Sequence, residues 1–169
     1  QELAADQASV RVAGRTAATS ALRELPVLDA AWDFYLSRYV ELGWEHGYAP
    51  DDLFGGFASL VNARKEELER LRSAEPHEER SVWDTHPPTT ERIAAIATTP
   101  EQARYRDDRP AALLLTDLAD ISRRLQAATM QVGERTPLPW PQFTNAALTA
   151  RMQRQADAIF RQITRTVRA

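Results

Sequence analysis

Apolar residues in this chain recur at spacings of three and four, and no stretch shows the alternation of β-branched and polar residues that a half-buried strand requires. That pattern predicts an all-α fold. The clearest case covers residues 28–42, where Trp32, Tyr35, Leu36, Tyr39 and Val40 line one side of a helix closed by Gly43 and Gly47. Leu53, Phe54, Phe57, Leu60, Val61, Leu68 and Leu71 trace a second face, about twenty residues long. Pro50-Asp51-Asp52 opens it, since proline needs no donor there and carboxylates suit the positive end of the helix dipole. Gly55-Gly56, inside that helical pattern, points to close helix packing. Further helices are expected at 2–12, stopped by Gly14; at 16–25, stopped against Pro26; and at 89–96 and 117–130. A last helix at 142–167 follows the elbow Pro137-Leu138-Pro139-Trp140-Pro141.

The expected architecture is therefore a multi-helix bundle. A polar stretch near 104–110 suggests a boundary, with one domain at 1–103 and a helical extension at 104–169. The chain has no cysteine, which removes disulfides, thiolate metal sites and cysteine nucleophiles. A net charge of −3 offers no overall attraction for nucleic acid, so no nucleic-acid partner is expected. No apolar run approaches the roughly 18 residues that span a bilayer. The opening Gln1 in place of methionine suggests a piece of a longer protein, and the excess of arginine and alanine suggests a bacterial source.

Two local patterns carry chemical interest. Glu2-Leu3-Ala4-Ala5-Asp6 places two carboxylates one helical turn apart, with small residues between them that allow a neighbouring helix to approach. That arrangement suits a metal ligand with a supporting acceptor; it equally suits an acidic first turn favoured by the dipole. Downstream, Trp83-Asp84-Thr85-His86-Pro87-Pro88-Thr89-Thr90-Glu91-Arg92-Ile93 holds a histidine in a proline-fixed loop at the entry to a short helix, with Arg92 one turn inside it. A lone loop histidine is otherwise a solvated or hydrogen-bonded one. Elsewhere the chain holds only His46 and His77, and no H-E-x-x-H, no G-x-S-x-G and no phosphate loop.

Taken together, E-x-x-A-D and the later T-H-P-P-x-x-E-R-I resemble the zinc metallopeptidases of the HtpX and CAAX-prenyl-endopeptidase type, over about residues 2–96. The resemblance implies the C-terminal half of a gluzincin-like catalytic domain, in a parent that cleaves membrane-associated or misfolded polypeptides. It implies that Glu2 is the third zinc ligand and that Asp6 orients a zinc-bound histidine. His86 is implied to stand near the metal and steady the oxyanion, and Arg92 to support that loop or contact substrate backbone. The histidine pair and the glutamate base are missing. Zinc is accordingly expected in the full-length parent and not on this fragment, which is expected to be inactive alone. Such parents are membrane-anchored; here the anchor is expected outside this chain, leaving a soluble segment on the cytoplasmic side.

Past residue 96 the resemblance fades. The last helix sets Arg151, Arg154, Arg161, Arg165 and Arg168 against Leu148, Met152, Ile159, Phe160, Ile163 and Val167. Such a helix suits anionic headgroups or a partner, but the expectation here is a core-packed apolar side and a solvated arginine side. The alternative to a peptidase fragment is a non-catalytic helical interaction module, whose acidic first turn and basic last helix serve partners.

Overall fold

The computed structural model describes residues 2–73, 87–101 and 109–167, and the side chains among them except those at 162 and 164–167. Among these the chain is all-α apart from one pair of short strands. The order is α1 (Glu2–Ala13), α2 (Arg15–Tyr35), a π-helical turn (Leu36–Val40), α3 (Glu41–Glu45), β1 (Tyr48–Pro50), α4 (Leu53–Ala63) and α5 (Lys65–Ser73). Then come α6 (Thr89–Ala97), a 3-10 turn (Ala111–Leu114), α7 (Leu118–Thr129), β2 (Thr136–Leu138) and α8 (Trp140–Val167). Two compact units form: Gln1–Ala31 with Lys65–Leu113, and Trp32–Arg64 with Leu114–Ala169. The boundary expected at 103/104 falls among residues 102–108, outside the described residues.

In the first unit α1 ends at Gly14, whose φ of 89° is open to glycine and strained for a residue with a Cβ. α2 starts at once. One of its first amides, that of Thr16, is met by the Glu101 carboxylate, which accepts from the Thr16 N–H at 3.0 Å and the Thr16 hydroxyl at 2.9 Å. Val10, Ala18, Leu22 and Ile96 make the core, with Ile93 against it, so α6 packs on α1. Arg72 of α5 grips Glu24 of α2 with two bonds, of 2.7 and 2.6 Å. Pro26 does not end α2 as the sequence predicts: the helix runs through it to Tyr35. Burial of Leu22 before the proline and Val27 after it outweighs the lost amide donor.

The second unit is built on aromatic packing. Tyr35, Val40, Leu53 and Leu60 are buried, with Trp32, Tyr39, Phe54, Phe57 and Trp140 around them. The Tyr35 hydroxyl donates to the Leu53 carbonyl at 2.8 Å. Gly56 lies against the Tyr35 hydroxyl and the Trp140 ring, and Gly43 lies under Phe143, so a Cβ at either position would meet a ring or hydroxyl. The close packing expected of Gly56 is therefore present. The strands pair in parallel, Tyr48 with Thr136 and Pro50 with Leu138. Three residues each are too few to show a period of two, which is why the sequence offers no strand here.

The start of α4 also differs from expectation. The helix begins at Leu53 rather than at Pro50, and Asp52 caps it, its carboxylate accepting from the Gly55 N–H at 2.8 Å and from the Ser122 hydroxyl of α7. The long face predicted from Leu53 to Leu71 is two helices, broken at Arg64 (φ −113°, ψ 27°). α7 is fastened by Gln126: its amide oxygen accepts from the Leu53 N–H at 2.6 Å and its amide nitrogen donates to the Pro50 carbonyl at 2.8 Å. α8 buries Phe143 and Ala147 in its first turns.

Candidate functional site

The residues singled out at the start of α1 and of α6 meet. Glu2 and Asp6 lie one turn apart on α1, and Pro87-Pro88 lead directly into α6, whose first turn closes when the Arg92 N–H donates to the Pro88 carbonyl at 3.0 Å. That turn aims the Arg92 side chain at α1. Its Nε donates to Asp6 Oδ2 at 3.0 Å and its Nη2 to Asp6 Oδ1 at 2.8 Å, a two-pronged clamp that the planar guanidinium makes and an ammonium does not. The remaining nitrogen, Nη1, stands 3.3 Å from Glu2 Oε2. One cation thus serves two carboxylates.

Burial grades the cluster. The Asp6 side chain is 7% exposed and that of Arg92 18%, while Glu2 sits at the outer edge at 32%. The hydrogen bonds from Arg92 hold the Asp6 carboxyl below its ordinary range, overcoming the opposing effect of burial. The same bonds push the Arg92 guanidinium further toward its charged form. Asp6 is therefore an ionised carboxylate in a fixed orientation. A second tie, from the Thr99 hydroxyl to the Gln7 side-chain oxygen at 3.2 Å, holds the far end of α6 to α1.

His86, like His77 and Trp83, lies outside the described residues. His46 belongs to the second unit, where its Nδ1 bonds the Leu42 carbonyl at 2.7 Å and its buried Nε2 has no partner among the described residues. Glu2, Asp6 and Arg92 are thus brought together. Among the described residues no three His, Cys, Asp or Glu side chains converge, so these residues do not by themselves compose a zinc centre. One carboxylate, Glu2, stands at the rim and a second, Asp6, is braced behind it.

Sequence reasoning missed the other long-range polar ties of this unit. Glu101 with Thr16 and Arg72 with Glu24 join residues 85 and 48 positions apart, and no local spacing signals such pairs. A surface groove of about 410 Å³ lies between them, lined among others by Arg15, Arg23 and Arg72. Two of those arginines are already neutralised, Arg15 by Glu101 at 3.6 Å and Arg72 by Glu24 at 2.6 Å. No family model, curated protein or solved structure matches this chain.

Proposed function

We propose that this chain is part of a zinc metallopeptidase of the HtpX and CAAX-prenyl-endopeptidase kind, acting on polypeptides. In it Glu2 is a zinc ligand, and Asp6 with Arg92 forms the brace beside the metal. The observation that carries the reading is the Arg92 clamp. Two motifs that the resemblance assigns to one site lie 86 residues apart in the chain, and their charged members bond directly.

Zinc in such a site supplies a Lewis acid and an activated water. The role of this chain's own residues is positional. Asp6, both of whose oxygens are held by Arg92, fixes the first turn of α1, and its role toward a neighbouring zinc-bound imidazole is to orient it. Glu2, one turn away and 32% exposed, lies against Arg92 Nη1 at the outer edge of the cluster, the position from which it would reach the metal. His86, just ahead of the prolines that aim Arg92, is proposed to donate a hydrogen bond to the oxyanion of the substrate. Membrane anchorage of the parent would come from other segments, because no helix among the described residues is long and apolar enough to cross a bilayer.

The test is made on the full gene product. The reading requires an H-E-x-x-H encoded ahead of Gln1, and it ends if none is there. Glu2→Gln is expected to remove most bound zinc, measured by elemental analysis, because a ligand is lost outright. His86→Ala is expected to spare the metal and lower turnover of an unfolded polypeptide.

The second reading, a helical interaction module, is favoured by the exposed apolar side of α8. Under it Glu2→Gln leaves zinc content and activity unchanged.

A further inference from the structure

α8 departs from expectation on its apolar side: Arg151, Arg154 and Arg161 are exposed as expected, but the large apolar residues described beyond Ala147 are exposed too. Phe143 and Ala147 are buried, and Arg151 and Arg154 follow them at spacings of four and three, so one stripe turns from apolar to cationic as the helix leaves the core. Arg154 donates to the Glu45 carbonyl of α3 at 2.8 Å, so this stripe still faces its own unit there. Leu148, Met152, Ile159 and Ile163 lie on the opposite side, at 53, 61, 58 and 52% exposure. The apolar side is the one that faces away from the core.

From this geometry and the charge distribution we propose that α8 is an interfacial helix, which lays its Leu148–Met152–Ile159–Ile163 side into an anionic phospholipid surface. Charge selects the occupant. From residue 140 onward the sequence holds five arginines and one carboxylate, Asp157, although the whole chain is net −3. A second copy paired through this stripe would bring the arginines of both helices no counter-charge, whereas an anionic surface supplies it along its whole extent. The helix is about 10 Å across and the Debye length at physiological salt is about 8 Å, so Arg151 at the side of the stripe, and more weakly the arginines on the polar side, feel the headgroup potential while the aliphatic side enters the acyl boundary. Surface attachment needs no bilayer-spanning helix. The inference is independent of the metallopeptidase reading.

The experiment is flotation of the chain with vesicles of phosphatidylcholine and phosphatidylglycerol in equal parts, and with vesicles of phosphatidylcholine alone. Binding is expected to the mixed vesicles and to weaken as salt is raised. Arg151→Ala is expected to lower it by about fivefold, the effect of one cation near an anionic surface. Ile159→Asp, at an exposed position that leaves the far-ultraviolet dichroism unchanged, is expected to abolish it. Absence of binding, equal binding to both vesicle types, or unaltered binding by Ile159→Asp overturns the proposal. So does a concentration-dependent dimer in sedimentation that Ile159→Asp dissociates, which would assign the stripe to a second copy. The salt series on the unaltered chain decides the matter even if a variant folds poorly.

Discussion

Arg92 is the residue on which the candidate site depends most. Its replacement by leucine leaves the Asp6 carboxylate nearly buried without a counter-charge, and breaking a buried pair from one side costs about 3 to 5 kcal/mol. Arg92→Leu is therefore expected to lower the unfolding free energy by roughly 3 kcal/mol in urea titration. Asp6→Asn should cost less, about 1 to 2 kcal/mol, since Arg92 keeps its contact with Glu2 and an amide oxygen still accepts one bond. The sign of the pH effect follows from the depressed Asp6 carboxyl. Its stabilising contribution is fully present above the ordinary value of 3.8 and is lost as pH falls through the lower folded-state value. Acid unfolding of the unaltered chain should thus be steeper below about pH 4 than that of Asp6→Asn, followed by circular dichroism. The sequence pointed to these three residues through motif resemblance. That Arg92 takes both carboxylates is invisible in it, because residues 86 apart share no local period.

Among the elements, α7 and the β1–α4 junction are tied through one amide side chain. Gln126→Leu removes the acceptor of the Leu53 N–H and the donor to the Pro50 carbonyl, leaving two buried backbone groups unmet. The expected loss is about 2 to 4 kcal/mol, read by chemical denaturation; a loss below 1 kcal/mol would show that water replaces the amide. Pro26 presents the reverse case. Inside a helix it withholds one amide donor, so Pro26→Ala is expected to raise stability by about 1 to 3 kcal/mol. Start and stop signals worked where they are local: Gly14 ends α1, and Thr89 opens α6 as expected. They failed at Pro26, where burial of Leu22 and Val27 overrides a breaker, and at Pro50, which pairs in β1 while Asp52 does the capping.

For the whole molecule, the Arg92 cluster and the Gln126 brace belong to different units and share no partner, so their effects should add. A double variant, Arg92→Leu with Gln126→Leu, that departs from the sum of the singles by more than about 0.5 kcal/mol would reveal coupling between them. The sequence alone determined that the chain is helical and roughly where its helices lie, because helix formation is governed by groups three or four residues apart. It also determined that Glu2 and Asp6 share one helical face and that α8 has an apolar and a cationic side. Only the tertiary structure decided that α8 is buried no further than Ala147 among the described residues, that Arg92 closes on Asp6, and that Gly43 admits a ring. Those outcomes depend on which surfaces distant segments bring into contact, and a one-dimensional period carries no information about the neighbour across the gap.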